Sequence, residues 1–155
     1  MSATTTGPPR GSVPVRSVLR SPVGEVEWDR SLRDAARDLA ADEIGVLLVV
    51  RRRSALGIVS ERDLVAAVAA GFDPDDTTVE DAMTTEIVSV DVSAAVTTAA
   101  GVMLEAGIRH LLATRDGSPA GIVSIRDVLA AVLEEHGPGN DGNGDSPVPR
   151  GTGAA

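Results

Sequence analysis

The chain has 155 residues, is 43% hydrophobic and carries a formal net charge of −9, with 1% aromatic residues and no cysteine. That length holds one or two small domains, and with so few aromatics the core must be built from Ala, Val, Leu and Ile. Every positive charge is an Arg, but an acidic chain with no basic block and almost no aromatics lacks the residues for phosphate neutralisation along a strand and for base stacking, so nucleic acid is not expected as a partner; the missing cysteines exclude disulfides, zinc thiolate sites and cysteine nucleophiles.

In chain order, residues 1–14 are rich in Thr, Gly, Pro and Ser without apolar periodicity, which predicts a disordered tail. The N-terminus has no apolar signal core. A strand is expected over Val23 to Trp28, with Asp29 as N-cap of the helix that follows. Leu32, Ala35, Ala36, Leu39 and Ala40 mark that helix's apolar stripe, and Glu43 gives it a less sharp end. Ile44 to Val50 is the next strand. It is the longest apolar run and far short of the ~20 residues that span a bilayer, so membrane contact is not expected and the protein reads as cytoplasmic. Arg52-Arg53 forms a looser turn into a strand over Leu56 to Val59, and a helix runs from about Arg62 to Ala70. Residues 72–78, with Pro74 and three Asp, are an exposed linker.

The order then repeats. A strand over Ile87 to Val92 leads to Ser93 as N-cap and to a stripe of Val96, Ala99, Ala100, Met103 and Leu104, closed by Gly107 as C-cap. Strands follow over Arg109 to Thr114 and Ala120 to Val123, joined by a hairpin turn at Asp116-Gly117. A last helix runs from about Arg126 to Glu135, and residues 136–155 form a second expected tail.

The repetition is in the residues themselves. Gly57-Ile58-Val59-Ser60-Glu61-Arg62-Asp63 recurs 64 residues later as Gly121-Ile122-Val123-Ser124-Ile125-Arg126-Asp127. Without a gap, roughly a third of the positions in the two copies are identical. One copy of about 55 residues is marginal alone, so residues 15–71 and 79–135 should form one pseudo-symmetric domain.

The strand–helix–strand–strand–helix order and the Gly-aliphatic-aliphatic-Ser-x-x-Asp ending resemble the cystathionine-β-synthase (CBS) domain, in the tandem arrangement called a Bateman module. Val79-Glu80-Asp81-Ala82-Met83-Thr84 looks like that family's lead-in, and Ile108-Arg109-His110-Leu111-Leu112 like its second strand. The resemblance implies an α/β (α+β) fold of two β-α-β-β-α repeats packed about a pseudo-twofold, commonly paired again as a homodimer. It also implies two clefts that bind an adenosine-containing ligand (AMP, ADP, ATP or S-adenosylmethionine) as a regulatory signal, with no cofactor required. Signalling would go to a separate effector protein.

By position, the resemblance places Gly57, Ile58, Ser60 and Asp63 in a first cleft with Thr84, Thr85, Ile87, His110 and Leu111. It places Gly121, Ile122, Ser124 and Asp127 in a second, with Arg20, Ser21, Val23, Val46 and Leu47, and with Arg109 reaching a phosphate. The chemistry suits these roles. A carboxylate accepts both ribose hydroxyl protons, free amides at a helix start favour phosphate, and aliphatic side chains must hold the adenine. Gly before the last strand permits close approach of a ligand or a neighbouring backbone. With His110 and two Thr, the first cleft ranks above the second, which has Gly45 and Val46 at the matching positions.

Simpler readings stand beside these. Ser60-x-x-Asp63 and Ser124-x-x-Asp127 also suit plain helix N-caps, His110 a core or interface position, and Arg51-Arg52-Arg53 an exposed turn. Arg62 and Arg126 suit solvated helix faces. An interaction module without nucleotide is the alternative function. No nucleophile–base pair supports an enzyme. Gly137-Pro138-Gly139-Asn140-Asp141-Gly142 follows a helix and opens none, so it fails as a dinucleotide fingerprint. Asp73, Asp75 and Asp76 lack the Gly and Glu of a calcium loop, and no metal is expected.

Overall fold

The computed structural model describes residues 12–42 and 44–135. Glu43, the glycine run after Gly137 and the tails other than residues 12–14 lie outside the described residues. Each repeat opens with a short strand, β1 (Glu25–Glu27) and β4 (Ser89–Asp91), shorter than the apolar runs around them. Helices α1 (Leu32–Asp42) and α4 (Val96–Ala106) follow. The hairpins β2 (Val46–Arg51)–β3 (Ser54–Ser60) and β5 (His110–Arg115)–β6 (Ser118–Ser124) come next, leading into helices α2 (Glu61–Ala69) and α5 (Ile125–Glu135). Between the repeats lies one further turn of helix, α3 (Val79–Ala82), within the segment read as a lead-in.

The strands form two separate three-stranded sheets, β1-β2-β3 and β4-β5-β6. In each, the first strand runs parallel to the second and the third antiparallel to it. Matching register shifts fall between Val49 and Val50 and between Ala113 and Thr114, which are pseudo-equivalent positions.

Period-two alternation divides β2 and β5 between two layers. Leu47 and Val49 enter the first repeat's core with Leu39 and Val59, and Leu111 and Ala113 enter the second with Met103 and Val123. Leu48, Val50 and Leu112 point the other way and join the sheets, flanked by Val23, Ile58, Ile87 and Ile122. The helical stripes are buried at Leu32, Ala35 and Leu39 and at Val96, Ala99 and Met103. Leu104, expected on that stripe, is 80% exposed, while its neighbour Met103 is 1% exposed.

The segments before the repeats cross over. Val15 is fully buried, yet its neighbours belong to the second repeat's core, while Val79 is buried in the first repeat's. Val15 N–H donates to the Ala94 carbonyl at 2.8 Å and Val79 N–H to that of Arg30 at 2.8 Å. Further on, Arg20 pairs with Ile122 and Thr84 with Ile58, so each lead-in borders the other repeat's third strand. Gly121 and Gly57 make this possible. A Cβ on Gly121 would lie 2.5 Å from the Arg20 carbonyl oxygen, and one on Gly57 would strike that of Thr84.

The crossing also corrects the expected caps. The Leu32 amide donates to Thr77 O and the Val96 amide to Val13 O, each at 2.9 Å, so both helix starts are satisfied by chain preceding the other repeat. Ser31, not Asp29, accepts from the Asp34 amide at 3.1 Å. The N-cap of α4 is Ala95 and makes no side-chain bond, while Ser93 serves a turn with Asp91. Residues 12–14, expected in the tail, are part of the fold, with Pro14 bridged to Ala95. Residues 72–78 are likewise not wholly exposed, since Thr77 is 8% exposed.

Gly107 closes α4 in the left-handed conformation as expected. Arg52-Arg53 is not the looser of the two hairpin turns. Both residues have positive φ, 49° and 66°, as do Asp116 and Gly117 at 52° and 78°, so the two hairpins share one tight geometry. Among the described residues no helix is long and apolar enough to cross a membrane.

Candidate functional site

Two helix starts define the site. Ser60 caps α2 in a reciprocal box: Asp63 N–H donates to Ser60 Oγ at 3.3 Å, and Ser60 N–H to Asp63 Oδ2 at 2.8 Å. The second repeat has the same local chemistry. Asp127 N–H donates to Ser124 Oγ at 3.2 Å, and that hydroxyl to Asp127 Oδ2 at 2.7 Å. Capping is thus realised at both Ser-x-x-Asp ends.

Their surroundings differ. A cavity of about 290 Å³ opens at the second, near the small end of the roughly 300–1,000 Å³ usual for small-molecule sites. Arg20, Ser124 and Asp127 stand together on its polar side, the Arg20 Nε 3.7 Å from Asp127 Oδ2. Arg20 is brought there by the crossed lead-in and Asp127 by the first turn of α5. Pro22 (after a cis peptide), Ile44, Val46 and Ile122 supply apolar surface. Glu61, Arg126 and His110, with Gly24 and Gly45, complete the lining.

His110 opens β5 and leans across the pseudo-twofold onto the first repeat. Its ring lies so close to Gly45 that a Cβ there would be 2.7 Å from Cε1 and Nε2. Burial pushes its pKa below the usual imidazole value, against the opposing pull of Glu61 and Asp127; Arg109 adds to the lowering. Burial thus favours the neutral imidazole.

Of the residues assigned to the second cleft, Arg20, Val46, Ile122, Ser124 and Asp127 line this cavity. Gly121 sits behind them as the close-approach point for the Arg20 backbone. Ser21 is exposed beside them and Val23 packs between the sheets. Arg109 is exposed and does not line the cavity; its carbonyl accepts from the Ile125 amide at 2.8 Å. Leu47 turns into the core and is 1% exposed, which leaves only its backbone to meet a ligand.

The first set is divided between backbone contacts, the layer between the sheets and the core. Gly57 and Ile58 contact the Thr84 backbone, Thr84 and Thr85 are exposed, and Ile87 packs between the sheets. Leu111, 1% exposed, faces the core. Asp63 borders a different hollow, floored by Ala66, Ala67 and Ala70 and edged by Phe72 and Asp81, with no other member of its set. His110, assigned to the first cleft, lines the cavity at the second. The cavity thus lies at the cleft ranked second by the sequence. Gly45 and Val46, read as a deficit, both line the cavity, and Gly45 leaves room for the His110 ring.

Pro22, Gly24, Ile44, Gly45, Glu61 and Arg126 also line it and were not assigned to a cleft. Only Gly45 carried a signal, standing where the other repeat has Arg109. Among the described residues no group of three or more His, Cys, Asp or Glu is placed to hold a metal ion. Asp75 of the linker is instead paired with Arg33.

Comparison with known proteins agrees with this architecture. The family model described as CBS domain matches residues 15–70 and again 79–134. An uncharacterised 17.7 kDa protein of Acidianus ambivalens is 35% identical over 124 residues, 79% of this chain and 74% of that protein. The mitochondrial CBS domain-containing protein CBSX3 of Arabidopsis thaliana is 33% identical over 131 residues, which cover 79% of this chain but only 64% of the relative's length. Among solved structures, the CBS domain protein PAE2072 of Pyrobaculum aerophilum, complexed with AMP, superposes with a TM-score of 0.71 at 26% identity, over 80% of this chain and 98% of that one.

Proposed function

This chain belongs to the CBS domain family, with two such domains in tandem, and we propose that it is a regulatory module that binds an adenosine-containing ligand in the cavity at Asp127 and signals to a separate partner protein. The observation that carries this reading is the convergence, in one cavity, of a carboxylate at a helix start, two arginines and an aliphatic wall. The Asp127 carboxylate suits the ribose hydroxyls. The start of α5, with Ser124, Arg20 and Arg126, suits a phosphate. Ile44, Val46 and Ile122 suit the adenine faces. The AMP complex of PAE2072 supports the ligand class.

A signal needs two states with different affinity for the ligand. The cavity is built from both repeats, so occupancy favours one arrangement of the pair. The exposed Val65 and Val68 on α2 and Leu129 and Leu133 on α5 suit contact with a second copy.

Thermal unfolding with AMP, ATP or S-adenosylmethionine at about 1 mM tests the reading, with Asp127→Ala and Asp63→Ala alongside. A ligand at 100 times its dissociation constant adds about 2.7 kcal/mol. The expected result is a rise in Tm for wild type and Asp63→Ala that disappears in Asp127→Ala. Sedimentation of the same samples should show a dimer. The competing reading, an interaction module without nucleotide, is favoured by one fact: both carboxylates already cap their own helices. A cooperative melt that no ligand moves would establish it.

A further inference from the structure

We propose that Glu61 makes this cavity select ligands with a single phosphate over nucleoside triphosphates; the inference rests on the reading of the cavity as an adenosine site. Glu61 belongs to the first repeat but serves the cavity at the second repeat's Ser-x-x-Asp end. It is the first residue of α2, and its amide donates to the Gly45 carbonyl at 3.1 Å, which anchors it to the cavity wall. It lines the cavity together with His110, whose ring packs against Gly45.

The charges decide what the cavity accepts. Arg20 and Arg126 are balanced by Asp127 and Glu61, and Arg20 already pairs with Asp127 at 3.7 Å. Burial favours the neutral imidazole of His110, which therefore offsets little of a phosphate's charge. One phosphate, held at the start of α5 by Ser124 and the arginines, is compensated by the helix dipole and the guanidinium groups. Glu61 lines the same cavity as these cations, so a longer phosphate chain adds negative charge beside its carboxylate, where like charges repel. The pseudo-equivalent residue is Ile125, which is uncharged, so this restriction is not shared by the two copies. Glu61 is exposed, and its action is electrostatic rather than structural.

Isothermal titration with AMP and with magnesium-free ATP, on wild type and Glu61→Gln, tests this. Wild type should bind AMP at least tenfold more tightly than ATP. Glu61→Gln should narrow that ratio several-fold, chiefly by tightening ATP, with less effect at high salt where exposed charges are screened. Wild type binding ATP as tightly as AMP, or a ratio unchanged in Glu61→Gln, overturns the role of Glu61 and leaves the adenosine site standing. Binding of neither nucleotide overturns the role of Glu61, and an unmoved melt with S-adenosylmethionine as well overturns the adenosine site.

Discussion

At residue scale, the hairpin of the first repeat is under strain. Arg52 and Arg53 occupy the left-handed region, with φ 49° and 66°, where a side chain crowds the following carbonyl at a cost of roughly 1–2 kcal/mol. The second repeat meets the same geometry with Asp116-Gly117. Arg53→Gly should therefore stabilise the protein by about 1 kcal/mol, seen as a higher denaturant midpoint at unchanged slope; a lower midpoint would mean that the arginine side chain holds the turn. His110 carries a pH dependence. Burial lowers its pKa in the fold, so below about 6.5 the unfolded chain takes up a proton that the folded chain resists. Stability should fall as pH drops from 6.5 toward the lowered folded value, and His110→Gln should lose less over that window. An equal loss in both proteins would assign the acid sensitivity to other groups. Ser60-Asp63 and Ser124-Asp127 were legible as caps because the partners lie three residues apart. Leu47 and Leu111 were not legible as core residues, since an apolar strand buried on both faces does not reveal which side chains face which layer.

At the scale of elements, the crossed lead-ins decide both the caps and the site. Val15–Arg20 and Val79–Thr84 border the third strand of the opposite repeat, and the two glycines there admit their backbones. Gly121→Ala should destabilise by about 1–3 kcal/mol, because the Arg20 carbonyl must move. Gly101→Ala, in the middle of α4 with nothing within 4 Å of the added Cβ, should act in the opposite direction by about 0.5–1 kcal/mol. Urea titrations of the two variants read both signs, and a neutral Gly121→Ala would mean that the lead-in is loosely held. The helices and hairpins themselves were legible from apolar spacing and turn residues. The caps of α1 and α4 were misread because their first amides find carbonyls at Thr77 and Val13, which lie far along the chain.

At the scale of the molecule, the two repeats form one body, for each contributes a buried valine to the other's core. This is why the ligand and Glu61 experiments report on both repeats at once: Arg20, Ile44, Glu61, His110 and Asp127 reach one cavity from segments spread over the whole fold. The sequence by itself determined the repeat, its strand–helix–strand–strand–helix order and the Ser-x-x-Asp helix starts, because these depend on neighbours a few residues apart and on an offset that can be counted. Only the tertiary structure decided which of two similar ends opens into a cavity. Its lining includes Gly45 meeting the His110 ring across the pseudo-twofold, and a contact of that kind leaves no periodic trace in either repeat.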